Sequence, residues 1–219
     1  MEPSGRPGAA VASGRRSYER EPIVDLRSGL AVGFEVLSRP EAGRLVEDHR
    51  GPSSAWWFDA ELVLRDATAF AWDGSDAAVH LNLVASDLRR PILIACIARL
   101  PEAMRRRLVL EITEHEPIGM RAAVEAPIAA LRQLGVRFAV DDFGEGWANL
   151  TMVDIVRPEI LKVTGHTVGG DDRLARWVVE LARSLQATTV YEMIETPEDL
   201  AWSKEMGFDQ GQGYLWPSR

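Results

Sequence analysis

One cysteine, Cys96, stands among 219 residues, so no internal disulfide can form and a reducing compartment fits the chain. It lies in the apolar stretch PILIACIARL, where a buried structural thiol is the default. No run approaches the roughly 18–20 apolar residues of a membrane span, which excludes membrane insertion. The first residues lack the apolar core of a signal peptide, and the expected location is cytoplasmic. Basic residues are outnumbered, 25 against 33 acidic, for a net charge of −8. That balance excludes a general DNA or RNA polymer binder, which needs a basic footprint. A small phosphate ligand remains compatible if metal ions supply the positive charge.

The remaining composition, 46% hydrophobic and 26% charged, is ordinary for one globular domain. Residues 1–17, rich in Gly, Ser, Ala and Arg, have no periodicity and read as a flexible tail. Residues 18–219 read as a single domain. EPIVDLRSGLAVGFEVL predicts two strands joined by a turn at Arg27-Ser28-Gly29, and AWWFDAELVLRDATAF predicts a helix. Helices are then expected over 87–100, 121–134, 172–185 and 197–206. Strands are expected over 107–111, 136–141, 159–163, 187–192 and 212–216. The last helix is started by Thr196-Pro197 and stopped by Gly207. Strands alternating with helices imply a mainly parallel sheet, and the opening hairpin implies one strand running against the rest. The fold class is α/β, a single TIM-like (β/α)8 barrel with one antiparallel strand.

Six apolar runs end in polar residues: Glu35, Asn82, Glu111, the pair Asp141-Asp142, Lys162 and Glu192. From Asn82 onward the steps are 29, 30, 21 and 30 residues, about one strand plus one returning helix. In a parallel barrel such strand ends converge on one rim. Hard oxygen donors plus one lysine suit divalent metal ions and a phosphate ester. Adjacent side chains on a strand point to opposite faces, so Asp141 and Asp142 can act together only if the chain bends at once. Phe143-Gly144 and Gly146 are the expected bend. Taken singly, each residue has a plainer reading. DDFG could cap a strand with an Asx turn, Lys162 could snorkel, and Glu192 and Glu195 could favour a helix start. Arg39 could pair with Glu41 or Asp48, and Gln212 could be a core amide. His49, His80, His115 and His166 lack ligand-like spacing, although His80 shares a face with Asn82. Trp56, Trp57, Trp177 and Trp202 read as packing residues.

The joint pattern resembles the EAL domain, a family of cyclic di-GMP phosphodiesterases. Glu35-Val36-Leu37 stands in place of Glu-Ala-Leu within EPIVDLRSGLAVGFEVLSR. LNLVASDL, LVLEITE, FAVDDFGEGWANL, ILKV, VYEMIET and QGYLWP resemble its later motifs in order. The resemblance implies metal-dependent hydrolysis of cyclic di-GMP to linear pGpG, with two divalent ions, Mg²⁺ or Mn²⁺. Glu35, Asn82, Glu111 and Asp141 would hold one ion, and Asp141 would bridge to a second held with Asp142 and Glu192. Lys162 would orient the attacking water, with Glu192 helping to deprotonate it. Glu114 would brace the loop after Asp142, Glu195 and Gln212 would complete the site, and Arg39 would contact a substrate phosphate. A homodimer is also implied. A weakly active or inactive cyclic di-GMP sensor or interaction module is the alternative, motivated by departures from the pattern. Glu145 stands where a small or hydroxyl residue is usual, Thr164 where an aspartate is, and Met193 where a glycine is. Glu145 is expected to repel phosphate or compete for metal. Met193 is expected to be strained if the position requires positive φ.

Overall fold

The computed structural model describes residues 16–40 and 76–217. The expected tail (apart from residues 16 and 17) and the helix expected near 55–70 lie outside the described residues. The sheet is a closed barrel of eight strands in sequence order. It begins with β1 (Arg16–Asp25) and β2 (Ala31–Pro40), followed by β3 (Ala78–Leu83) and β4 (Leu108–Ile112). It continues through β5 (Arg137–Val140), β6 (Ile160–Val163), β7 (Thr188–Tyr191) and β8 (Gln210–Gly211). β1 is antiparallel to both β2 and β8, and every other pairing is parallel, as the opening hairpin implied.

The helices are α1 (Pro91–Ala98), α2 (Glu102–Arg107), α3 (Arg121–Gln133) and α4 (Leu150–Val156). After β6 come α5 (Gly165–Val168), α6 (Asp172–Leu185) and α7 (Pro197–Met206). α6 and α7 have the bounds that their sequence signals predict. Asp171 caps α6 by accepting from the N–H groups of Arg173 and Leu174. Ala175, Val178, Val179 and Ala182, at helical spacing, are its buried face. Thr196 and Asp199 form a capping box at α7, and Gly207, with φ 91°, ends it. The helix expected over 87–100 is instead split into a 3-10 turn at Ala85–Arg89 and α1. Pro91 disfavours helical φ/ψ at Arg90, which is extended, so the two pieces cannot join. No strand forms over the expected 212–216; β8 lies just before it, at Gln210–Gly211. Gly213, with φ 146°, turns the chain onto Ile194, whose backbone nitrogen would lie 2.4 Å from any Cβ there.

Inside the barrel, Ile23, Ala78, Val109, Ala139, Ile160 and Val190 form an apolar floor. Two residues further along their strands stand Glu111, Asp141, Lys162 and Glu192. The two-residue period of a strand therefore places them above that floor, facing the same axis. The strands are staggered: Asn82 pairs with Glu111, but Glu111 pairs with Ala139 and Lys162 with Val190. The opposite faces of the strands pack Leu81, Leu110, Phe138 and Leu161 against the helices, with Cys96 buried in the same core. Among the described residues, no helix is long and apolar enough to cross a membrane.

Candidate metal and active site

Beyond the strands the ladder continues by single bonds. Asp141 N–H donates to the carbonyl of Ile112, Glu192 N–H to Val163, and Gln212 N–H to Tyr191. These bonds fix the height at which the polar side chains leave the wall. At the centre is the Lys162 ammonium, 1% exposed. Its Nζ lies 3.2 Å from Glu35, 3.0 Å from Glu111, 2.8 Å from Asp141 and 3.0 Å from Glu192. Glu35 also accepts from Asn82 Nδ2 at 2.5 Å and from Gln212 Nε2 at 2.7 Å. Six strand-end residues and Gln212 thus meet in one buried cluster, including Lys162, whose plainer reading as a snorkelling side chain is excluded by its burial.

Four carboxylates around one cation leave an excess of negative charge. Burial opposes the Lys162 charge, but Asp141, Glu111, Glu192 and Glu35 hold its pKa well above the ordinary lysine value. Burial pushes Glu111 and Glu192 well above the usual carboxylate range; Lys162 opposes this and the neighbouring carboxylates add to it. Glu35 moves the other way. Its burial is outweighed by Lys162 and by the amides of Gln212 and Asn82. Asn82 Oδ1, Glu192 Oε2 and Gln212 Oε1 are buried without a hydrogen-bond partner. Orphaned acceptors beside surplus carboxylates fit a divalent cation, and an all-oxygen donor set suits Mg²⁺ or Mn²⁺ rather than zinc. Glu114, Asp141 and Asp142 each place an oxygen within 4.8 Å of the others, which also fits an ion.

The bend that lets Asp141 and Asp142 act together begins earlier than the sequence suggested. Asp142 itself has φ 46°, followed by Gly144 at 103° and Gly146 at 45°. Asp tolerates this left-handed region better than most residues. Phe143 N–H donates to the Lys162 carbonyl, and Trp147 N–H to the Glu114 carbonyl. A Cβ on Gly146 would stand 2.8 Å from that Glu114 oxygen, so Glu114 meets the loop through its backbone. Burial, then the charges of Asp141 and Glu114, raise the Asp142 pKa to about 7.

Above the cluster lies a cavity of about 330 Å³, whose lining includes Glu21, Glu35, Asp142, Glu145, Glu192 and Glu195. Glu195 is exposed on this rim and does not reach the Lys162 cluster. Its backbone N–H donates to Asp199 in the first turn of α7. Glu145 accepts from Thr164 Oγ1 at 2.5 Å. Met193 does take positive φ, at 64°. Arg39 lies in β2 opposite Ser17, and its side chain is outside the described residues. Trp202 packs on Tyr191 and Phe208 as expected, whereas Trp177 is 46% exposed. His80 has no ligand-like spacing in the sequence, yet its Nδ1 lies 2.6 Å from Glu111 Oε1. Burial, and then Lys162, lower its pKa to about 3, so the imidazole is neutral. The only signal for it was the face it shares with Asn82.

A closed (β/α) barrel with oxygen donors gathered around one ammonium at its mouth defines a barrel protein with a divalent-metal-competent acidic centre. Residues 9–218 match the EAL domain, and the chain belongs to that family. It is 29% identical over 228 residues to the probable cyclic di-GMP phosphodiesterase PdeN of Escherichia coli, covering 91% of this chain and 42% of PdeN. Its fold is similar to Bacillus subtilis YkuI, a protein with an EAL domain solved with cyclic di-GMP and calcium. That match has a TM-score of 0.75 and 26% identity, over 92% of this chain and 55% of YkuI. Klebsiella pneumoniae BlrP1, solved with manganese and cyclic di-GMP, gives a TM-score of 0.78 at 24% identity, over 98% of this chain and 58% of BlrP1. The chain spans under half the length of PdeN and little more than half of either crystallised chain.

Proposed function

We propose that this EAL domain hydrolyses one phosphodiester bond of cyclic di-GMP to give linear pGpG, using Mg²⁺ or Mn²⁺. One observation carries the reading: four carboxylates surround the buried Lys162 ammonium beside unpartnered oxygens of Asn82, Glu192 and Gln212. Glu35, Asn82, Glu111 and Asp141 would hold one ion, and Asp141, Asp142 and Glu192 a second. Divalent ions bound there neutralise phosphate charge and activate water. Lys162 donates up to three N–H bonds from a fixed point, which suits it to orient the attacking water. Glu192 engages Lys162 through Oε1 and keeps Oε2 free. That oxygen is placed to take a proton from the attacking water as its bond to phosphorus forms and the ester bond breaks. Gln212 and Asn82 keep Glu35 oriented, Glu114 braces the loop after Asp142, and Arg39 would meet a phosphate at the rim.

A second reading, a cyclic di-GMP sensor with little turnover, draws on Met193, held at positive φ on the cavity rim. The test is incubation with cyclic di-GMP and Mg²⁺ or Mn²⁺, with chelator controls, following pGpG by chromatography and binding by calorimetry. Metal-dependent pGpG supports hydrolysis; binding without product supports the sensor; the absence of both product and binding would sink both readings. A homodimer in the cytoplasm belongs to the same proposal, and sedimentation tests the dimer.

A further inference from the structure

His80 is the buried titratable group for which the reaction above has no use. It lies on β3, two residues before Asn82 and pointing to the same interior. It is 1% exposed, in the layer that elsewhere holds Ile23, Val109, Ala139, Ile160 and Val190. An apolar side chain would suit that layer, and the imidazole needs room made for it. Gly33, on the neighbouring strand, makes that room: a Cβ there would lie 3.2 Å from Ala78 and 3.4 Å from His80 Nε2.

The ring uses that space to reach Glu111, with Nδ1 2.6 Å from Oε1. Glu111 has no solvent exposure, so without His80 this oxygen would be buried and unsatisfied. Its other oxygen, Oε2, faces the centre and accepts from Lys162 at 3.0 Å. An ionised carboxylate can only accept, so a metal-ligating Glu111 requires the proton to be on His80 Nδ1. We infer that His80 is a positioning residue of the metal centre, whose Nδ1–H holds Glu111 Oε1 against the wall and presents Oε2 to the ion. This rests on reading the acidic cluster as a divalent-metal site. Partners of ligating groups fix ligand orientation, and their loss typically lowers metal affinity by roughly 10–100-fold.

The test compares parent, His80→Leu and His80→Asn by calorimetric Mn²⁺ titration without substrate, with melting curves in chelator as a fold control. Asn places an amide nitrogen where Nδ1 stands; Leu places a methyl there. We expect His80→Leu to lose roughly tenfold or more in Mn²⁺ affinity and His80→Asn to recover most of it. Failure of the parent to bind Mn²⁺ would remove the metal reading and this inference with it. Equal affinity of parent and a folded His80→Leu would overturn this inference alone. If His80→Leu does not fold, imidazole nitrogen NMR of the Mg²⁺-loaded parent decides. The Nδ1–H tautomer supports the inference and the Nε2–H tautomer overturns it.

Discussion

Glu145 and Thr164, nineteen residues apart, are joined by a 2.5 Å hydrogen bond in which the threonine hydroxyl donates to the carboxylate. Both residues depart from the EAL pattern, in opposite senses. A carboxylate stands where a small or hydroxyl residue is usual, and a hydroxyl where a carboxylate is. Thr164 also caps α5 by accepting from Thr167 N–H, and Thr167 Oγ1 lies 3.5 Å from Glu145. The loop after Asp142 is tied to the turn after β6 by side chains as well as backbone. Glu145 also lines the cavity beside Asp142 and Glu192.

A double-mutant cycle measures this tie. Glu145→Ala and Thr164→Val should show a coupling of about 1.5–3 kcal/mol in denaturant unfolding, the usual value for a hydrogen bond to a charged group. Purely additive losses would mean the two side chains do not hold each other in solution.

Met193 supports a second prediction. A left-handed conformation costs a non-glycine residue roughly 1–2 kcal/mol, and Met193 holds φ 64° with its side chain 42% exposed, so little packing offsets that cost. Met193→Gly relieves the strain but gives the unfolded chain more freedom, worth roughly 0.4–1 kcal/mol in the other direction. The net expectation is a gain of up to about 1.6 kcal/mol in unfolding free energy. A loss of stability would show that Met193 contributes contacts that outweigh its backbone.

Where side chains meet at strand ends, the sequence was legible because periodicity does the work. Glu35, Asn82, Glu111, Asp141, Lys162 and Glu192 all follow apolar runs, and two-residue alternation sends them to one axis. α6 and α7 were legible to the residue because Asp171, Thr196, Pro197 and Gly207 are strong local signals. α4 and α5, of seven and four residues, are too short for periodicity to register. The break at Arg90 was readable from Pro91 and was missed. His80 was invisible for a different reason: its partner is 31 residues away, and its space depends on a glycine on another strand. The left-handed turn at Asp142 is likewise set by tertiary bonds from Phe143 and Trp147, which no local pattern announces.

Asp142 gives the pH dependence. Its folded pKa is raised to about 7, by burial first and then by Asp141 and Glu114. The folded protein therefore holds a proton that the unfolded chain, with a pKa of about 3.9, has released. Stability is fully present below pH 4 for this group and falls as pH rises toward 7. Glu111 and Glu192, also raised, act in the same direction. In chelator, the melting temperature should drop between pH 6.5 and pH 8, above the range in which the buried neutral His80 acts in the opposite direction, and Asp142→Asn should lessen that drop. A parent whose stability rose over this interval would contradict the assignment. Divalent metal should oppose the drop, because ligands bind it deprotonated and release their protons.

Lys162 separates the cation's structural part from its chemical one. Lys162→Met keeps most of the side-chain volume but leaves Glu35, Glu111, Asp141 and Glu192 facing each other without the ammonium. Removing one partner of a buried ion pair costs about 3–5 kcal/mol when the remaining charge is uncompensated. The carboxylates can escape part of that cost by binding protons. The loss should accordingly be smaller at pH 5 than at pH 7.5, in chelator. Mn²⁺ should recover part of it at the higher pH, since the ion supplies the charge that the lysine carried. Turnover should not return with stability, since the proposed role of Lys162 in orienting the water is lost. A variant equally destabilised at both pH values and unresponsive to Mn²⁺ would mean that Lys162 is held by packing rather than by the four carboxylates.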